Sequence, residues 1–319
     1  MKVKQLIEKE NNESIKDQVF MLTKKDKRSF NNKPGSFVTM ELSDDSGKIM
    51  AIKWEDPGEL FDSLSTGDIV KINGKVSEYR GAKQVIVDEI EMEVGDFNKT
   101  DFIPKVENHE GLKDDFNKLV STMENEFKES EKGYFEILSN FLESEYYEDF
   151  LIWPAAIKFH HEKLGGLLMH TLNVARHVYS YSKKESKVNF ARAMLGAIFH
   201  DIGKIHEYSF ESGATKMTQD GMLFGHKVLG MEIVKGLCQD TNISNEDKRL
   251  LLHIIASHHG KQEYGAITEP KTPEAVLVHH ADLMDAECYK VIDALENIEE
   301  GDYGYSDKYK GYVYKSENY

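Results

Sequence analysis

Seven residues in the second half of this 319-residue chain are of types that hold divalent metals: His170, His200, Asp201, His226, His258, His259 and Asp282. Two of them stand side by side in "GAIFHDIGKI", residues 196–205, an apolar run that breaks at Gly203. A His–Asp pair inside an apolar helix is costly unless something satisfies its charge and lone pairs. Each of the seven falls within or at the end of a segment with apolar residues at i, i+3 and i+4. Side chains so placed point into a helix-bundle interior, where bundle metal sites are built. Imidazoles with shared carboxylates suit Mn, Fe, Zn and similar ions. One buried histidine is ordinarily a core residue with satisfied hydrogen bonds, but an ordered series of this kind is much less easily accidental. No serine or cysteine nucleophile stands out beside this series of metal-ligand types.

The elements that must position these residues divide the chain into two grammars. From about 111 to 300 the pattern is helical, as in "GGLLMHTLNVARHVYSYSKK", "NFARAMLGAIFHDIGKI", "GHKVLGMEIVKGLC" and "NEDKRLLLHIIASHHG". Asn189 and Asn245 are expected N-caps and Gly260 an expected C-cap. Residues 18–95 instead alternate apolar and polar residues, with turns at "DDSG" and "YRGA" and a short helical piece, "PGELFDSLSTG", after the third strand. Five strands with that helix indicate an OB-type barrel. The expected layout is therefore multidomain α and β: an N-terminal extension at 1–17, a five-stranded barrel at 18–95, a linker at 96–110, an all-α bundle at 111–300 and a Tyr- and Lys-rich tail at 301–319 without clear period. An OB face grips single strands by stacking bases on aromatics beside basic groups. Phe37, Trp54 and Tyr79 are the candidate stackers, and Lys24, Lys25, Lys27 and Arg28 form a basic cluster expected in a loop.

Composition narrows the partners. The formal net charge is −16, which repels nucleic acid globally, so a polyanionic substrate must be held by a local basic patch or by bound cations. Residues 1–95 carry 15 Lys and Arg against 18 Asp and Glu, so most of the acid excess lies downstream. No apolar run approaches the ~20 residues of a membrane span, and the charged start "MKVKQLIEKENNESIKDQ" has no apolar signal core. Cys238 and Cys288 are the two cysteines, too few for a disulfide framework, and a reducing cytoplasm is the expected home.

His170, the "HD" at 200–201 and Asp282, with Lys204 completing "HDIGK", resemble the ligand series of the HD-domain phosphohydrolase superfamily. The wider set "PAAIKFHHEKLGGLLMHTLNVARH", "FHDIGKI", "GHKVLG", "SHHGKQEYGA" and "EAVLVHHADLMDA" resembles the YhaM family of bacterial 3′-to-5′ exoribonucleases, which pairs an OB domain with an HD domain. The resemblance spans nearly the whole chain and weakens before residue 18 and after residue 300. It implies a divalent-metal-dependent enzyme, often supported by Mn, that removes nucleotides from single-stranded RNA and sometimes DNA. It further implies that His170, His200, Asp201 and Asp282 hold one ion. Asp201 would then bridge to a second ion held by His226, His258 and His259, with Fe, Co, Mg, Zn or Ni as alternatives to Mn. Adjacent histidines on a helix diverge by about 100°, so His258 and His259 can share an ion only at a helix end, which Gly260 supplies. His253 is expected to be structural. His160, His161 and Tyr264 are candidate outer or substrate contacts, and Lys204 is expected to touch the scissile phosphate. Two ions about 3.5–4 Å apart supply an activated water and charge relief. Other readings of the same residues are a nucleotide or cyclic-dinucleotide phosphohydrolase and a non-catalytic single-strand-binding protein. For the cyclic-dinucleotide reading, "KQEYGA" stands where a "GYP" would follow "SHHG". A homo-oligomer is compatible with the sequence.

Overall fold

The structure is a computed structural model that describes all residues except 31, 56–57, 157–162, 212–213, 297 and 318–319. It divides into two compact units, Met1–Lys105 with Phe210–Lys216, and Val106–Ser209 with Met217–Tyr319. Each unit has its own apolar core.

The first unit is a closed barrel of β1 (Ser14–Ser29), β2 (Ser36–Asp44), β3 (Gly47–Lys53), β4 (Ile69–Tyr79) and β5 (Ala82–Met92), in the order β1-β2-β3-β5-β4. The β3–β5 pair is parallel and the other neighbours are antiparallel. The alternation read from the sequence delivers Val38, Met40 and Leu42 of β2 and Val70, Ile72 and Val76 of β4 to the interior. α2 (Glu59–Ser63) follows β3, as the helical piece in the sequence indicated, and plugs the core with Phe61. The first 17 residues are not an appendage. α1 (Val3–Ile7) precedes the barrel, Val3 and Leu6 are fully buried in its core, and the Val3 N–H donates to Asp44 at 2.8 Å.

The second unit contains α3 (His109–Glu126), α4 (Lys132–Leu142), α5 (Tyr146–Ile152), α6 (Gly166–Ser182), α7 (Phe190–Phe199), α8 (Lys204–Glu207), α9 (Gln219–Leu237), α10 (Asn245–Ser257) and α11 (Pro273–Leu295), while the short pair β6 (Tyr208–Glu211) and β7 (Ala214–Met217), between α8 and α9 in the chain, falls mostly in the first unit. A final hairpin, β8 (Tyr303–Ser306) and β9 (Gly311–Tyr314), gives the tail a structure that its sequence had not suggested. The central helix is α7, where every residue from Ala193 to Phe199 is buried, as a helix apolar all round requires. Asn189 caps α7 by accepting from the Arg192 N–H at 2.8 Å. The expected cap Asn245 is displaced by one residue, since the Ser244 hydroxyl accepts from the Asp247 N–H at 3.0 Å. No described helix is long and apolar enough to cross a membrane.

Candidate metal centre

Five elements aim their chemistry at one point. His170 comes from the middle of α6, His200 from the end of α7, Asp201 from the turn that follows, His226 from α9, His258 and His259 from the end of α10, and Asp282 from α11. Gly203 makes the convergence sterically feasible. A Cβ there would lie 1.9 Å from the His226 carbonyl oxygen and 2.4 Å from the Gly230 nitrogen, so only glycine lets the turn after Asp201 touch α9. The expected C-cap Gly260 is displaced: α10 ends at Ser257 with His258 in the capping position, and Gly260, at φ +79°, follows two residues on and turns the chain after His259.

The side chains form two groups that meet at Asp201. In the first, His170 Nε2 lies 3.1 Å from His200 Nε2, 3.3 Å from Asp282 Oδ1 and 3.4 Å from Asp201 Oδ2. In the second, Asp201 Oδ1 lies 3.5 Å from both His226 Nε2 and His258 Nε2, and His259 completes the set. The ligand atoms within each group lie within 4.8 Å of one another. The two oxygens of one carboxylate therefore face two different groups.

The five rings are oriented by the chain itself. Nδ1 of His200 donates to the Ala197 carbonyl at 2.8 Å, that of His258 to the Ile255 carbonyl at 2.8 Å, and that of His259 to the Tyr264 carbonyl at 3.0 Å. Nδ1 of His170 lies 2.6 Å from Asp285 Oδ2, and that of His226 lies 3.0 Å from Glu207 Oε1. A carbonyl or carboxylate can only accept, so the rings of His170, His200, His226 and His258 carry a proton on Nδ1 and turn Nε2 toward the centre, while His259 Nδ1 lies 3.3 Å from Lys227 Nζ as well. Glu207 also accepts from the His226 backbone N–H at 2.9 Å, one residue past the break in α9 at Gly225.

The electrostatics favour a cation. Burial lowers the pKa of His200 and His226, and pushes His258 and His259 down to about 4, so these rings stay neutral ligands. Burial would also lower His170, but hydrogen bonds with Asp282 and Asp285 outweigh it and push the ring up to about 9. A metal ion competes with that second proton for the same nitrogen. Burial raises the Asp201 carboxyl, yet Lys204 and His200 hold it well below the usual carboxylate range. Lys204 Nζ donates to Asp201 Oδ2 at 2.5 Å. Asp201 Oδ1, His226 Nε2 and His258 Nε2 are buried without a hydrogen-bond partner among the described residues. Three buried acceptors converging without a donor cost about 1–3 kcal/mol each, a penalty that a shared cation removes. The residues present therefore fit a divalent metal.

Beside the ligands lies a cavity of about 870 Å³, lined by Asp201, Lys204, His226, Lys261, Tyr264 and Asp282 among others. Tyr264 therefore serves the site twice, as a wall and through its carbonyl. His253 lies outside the centre and accepts the Lys271 N–H at 2.9 Å, a structural role as expected. His160 and His161 lie outside the described residues. The sequence reading missed Asp285 and Glu207. Asp285 had a usable signal, because it stands one turn after Asp282 in "DLMD". Glu207 had none.

In the barrel unit the outcome is mixed. Phe37 and Trp54 form one patch with Phe30, which the sequence reading had passed over, at ring-centroid distances of 5.1 Å (Phe30–Phe37) and 5.4 Å (Phe37–Trp54). Tyr79 does not join them. It sits at the β4–β5 turn with Arg80 5.3 Å from its ring centre, and the parallel register Met50↔Gln84 places that turn at the opposite end of β3 from Trp54. Lys24, Lys25, Lys27 and Arg28 are not in a loop: β1 runs through all four, because Lys24 to Ser29 continue the ladder with β2. Lys24 pairs with Glu41 at 2.9 Å and Arg28 with Asp26 at 2.8 Å. Lys25 donates to the Phe61 and Leu64 carbonyls at the end of α2, a helix-capping role. The run is thus not a single basic patch.

An OB barrel and a helical bundle with a paired His/Asp centre define a nucleic-acid-binding metal phosphohydrolase. The family model for the HD domain matches residues 167–287, and that for the OB-fold nucleic acid binding domain matches residues 21–93. Curated relatives extend the match to most of the chain. The 3′-5′ exoribonuclease YhaM of Oceanobacillus iheyensis is 30% identical over 287 residues, covering 89% of this chain and 88% of the relative. That of Bacillus subtilis is 30% identical over 284 residues, covering 86% and 85%. That of Listeria welshimeri is 28% identical over 303 residues, covering 94% of each. The chain belongs to the YhaM 3′-5′ exoribonuclease family.

Proposed function

We infer that this protein is a metal-dependent hydrolase that shortens single-stranded RNA from its 3′ end, releasing nucleoside monophosphates. The observation that carries the reading is Asp201, whose two oxygens face two separate groups of ligand atoms. In this reading His170, His200 and Asp282, with Asp201, would hold one ion, and His226, His258 and His259, with the same carboxylate, would hold a second. The family resemblance points to Mn as the ion, and a mix of imidazole and carboxylate also accommodates Fe, Co, Zn or Ni. When bound, the pair supplies an activated water and charge relief on the phosphate.

The chain's own groups do the rest. Lys204 neutralises Asp201 and lines the cavity, so it meets the phosphoryl oxygens of an entering strand. Tyr264 and Lys261 form the wall against which the terminal nucleotide is positioned. In the barrel, Phe30, Phe37 and Trp54 offer ring faces to unstacked bases, and Tyr79 with Arg80 offers a second contact at the β4–β5 turn. Stacking and phosphate contacts do not read the 2′-hydroxyl, so single-stranded DNA falls within the same proposal. The free thiols of Cys238 and Cys288 suit a reducing cytoplasm.

The test is a single strand labelled at its 5′ end and incubated with the protein and Mn²⁺. The expected product is a ladder that shortens from the 3′ side and stalls at a duplex, where pairing keeps the terminal base stacked. Early internal fragments, cleavage of a circular strand, or turnover of free nucleotides alone would overturn the reading.

A further inference from the structure

The C-terminal hairpin carries a surface that the metal centre and the barrel do not use. In its register Tyr303 pairs with Tyr314 and Tyr305 with Tyr312. Directly opposed residues share a face, so one face of the hairpin consists of four tyrosines, each more than half exposed. The other face turns inward: Val313 is 4% and Ser306 9% exposed. A lone hairpin this short is marginal in water. This one is fixed to α11 through that inner face and through Lys308, which reaches Asp293 at 3.1 Å. A rigid mount is thus spent on presenting aromatic rings to solvent.

We propose that this tyrosine face is a stacking platform for nucleobases of the single strand whose 3′ end occupies the metal cavity. The proposal rests on the exonuclease reading given above. Tyr312 meets Tyr303 and Tyr305 edge to face, at 5.9 and 5.5 Å between ring centres and 71° and 78° between planes. Such pairs hold one another upright and leave ring faces open to a base. Residues 301–319 hold three lysines against three acidic residues, so the segment is neutral in a chain of net charge −16, and Lys310 at the hairpin turn is exposed. A phosphate backbone meets less repulsion here than the chain's average surface would give.

Position supports the same occupant. The cavity wall runs along α11 from Asp282 through Leu283, Ala286 and Glu287 to Lys290. Asp293, which anchors the hairpin, is one turn further. Eleven residues of helix span ~16 Å, so a strand leaving the cavity along α11 reaches the tyrosines within a few nucleotides.

The experiment compares wild type with Tyr305→Ala/Tyr312→Ala and with Tyr305→Phe/Tyr312→Phe. The probes are a long and a short single-stranded RNA, each made resistant by phosphorothioate linkages at the 3′ end for binding and unmodified for turnover. Loss of a stacked base weakens binding by roughly 5- to 150-fold. The Ala variant should show that loss on the long strand alone, with short-strand binding and turnover unchanged. The Phe variant should match wild type, and unchanged melting temperatures exclude misfolding. Equal long-strand affinity in all three proteins overturns the proposal. So does a shift in sedimentation of the Ala variant without a change in RNA affinity, which would make the face a contact between copies. If the Ala variant loses long-strand affinity but no protein shortens the short strand, the platform stands and the exonuclease reading falls. If wild type binds neither strand, both fall.

Discussion

Removing Glu207 should strip one ion from the centre without touching a ligand. Glu207 Oε1 accepts from both the backbone N–H and Nδ1–H of His226, at 2.9 and 3.0 Å. Burial raises this carboxyl, but its bonds to His226 outweigh burial and hold it at about 2, so it is an anion at neutral pH. Its charge raises the basicity of Nε2 and its geometry fixes the ring. Groups that orient a metal-bound histidine in this way are typically worth 10–100-fold in metal affinity, or about 1.4–2.7 kcal/mol. Glu207→Ala should therefore weaken the ion held by His226, His258 and His259 by that factor and leave the ion held by His170, His200 and Asp282 near its original affinity. Asp285→Ala should do the reverse, because Asp285 holds His170 Nδ1 at 2.6 Å. A competitive titration against a chromophoric chelator, with metal content measured after dialysis, resolves two affinities. Glu207→Gln, which keeps an acceptor but not the charge, should fall between wild type and Ala. If both affinities fall together in both Ala variants, or neither moves in either, the division into two groups is wrong.

Asp201→Ala removes the shared carboxylate, so metal content and turnover should both vanish while far-UV circular dichroism keeps its helical signal. Near-normal metal content in that variant would contradict the bridging role. Phe37→Ala/Trp54→Ala should weaken binding of a long single strand by ~5-fold or more and leave turnover of a dinucleotide unchanged; equal affinities would remove the barrel patch from the strand path. Away from the metal, Asp247 accepts from Tyr134 and Arg192 at 2.9 and 2.7 Å. Burial raises its pKa, but hydrogen bonds from Ser244, Arg192 and Tyr134 hold it below the ordinary 3.8. A depressed carboxylate contributes stability above its unfolded pKa and loses it as pH falls through the folded value. The wild-type melting temperature should thus fall more steeply below about pH 4 than that of Asp247→Asn, and parallel curves would exclude the effect.

The candidate ligands could be picked out because metal chemistry restricts residue type and helical periodicity restricts direction. His170, His200, Asp201 and Asp282 could be ordered along the chain without any structure, and Gly260 told how His258 and His259 could act together. Their supports were hidden, because a carbonyl such as that of Ala197 or Ile255 leaves no trace in a sequence, and Glu207 reaches His226 across nineteen residues. In the barrel, alternation located the strands, but the charge run at 24–28 disguised the second half of β1, whose burial pattern there is almost wholly exposed. Burial in that stretch falls on the neighbouring strands instead, so no hydrophobic period marked it. The tail failed for a related reason. Tyr303, Tyr305, Tyr312 and Tyr314 do alternate, but their alternation faces water, and the inner face offers only Val313 and Ser306 as a core signal.

The contact at Gly203 bears on which ion the centre accepts. With His226 carbonyl and Gly230 nitrogen so near its backbone, the turn that carries Asp201 and the helix that carries His226 cannot slide past one another. The separation of the backbones that carry Asp201 and His226 is therefore set by main-chain packing. Raw affinities for divalent ions follow a common order whatever the site, and proteins discriminate by imposing size and geometry. A stiff opening rejects ions whose bond lengths do not match it, where a yielding one would close around any of them. Gly203 would thus bear on the choice of ion through the backbone alone, at a position that no ion would touch.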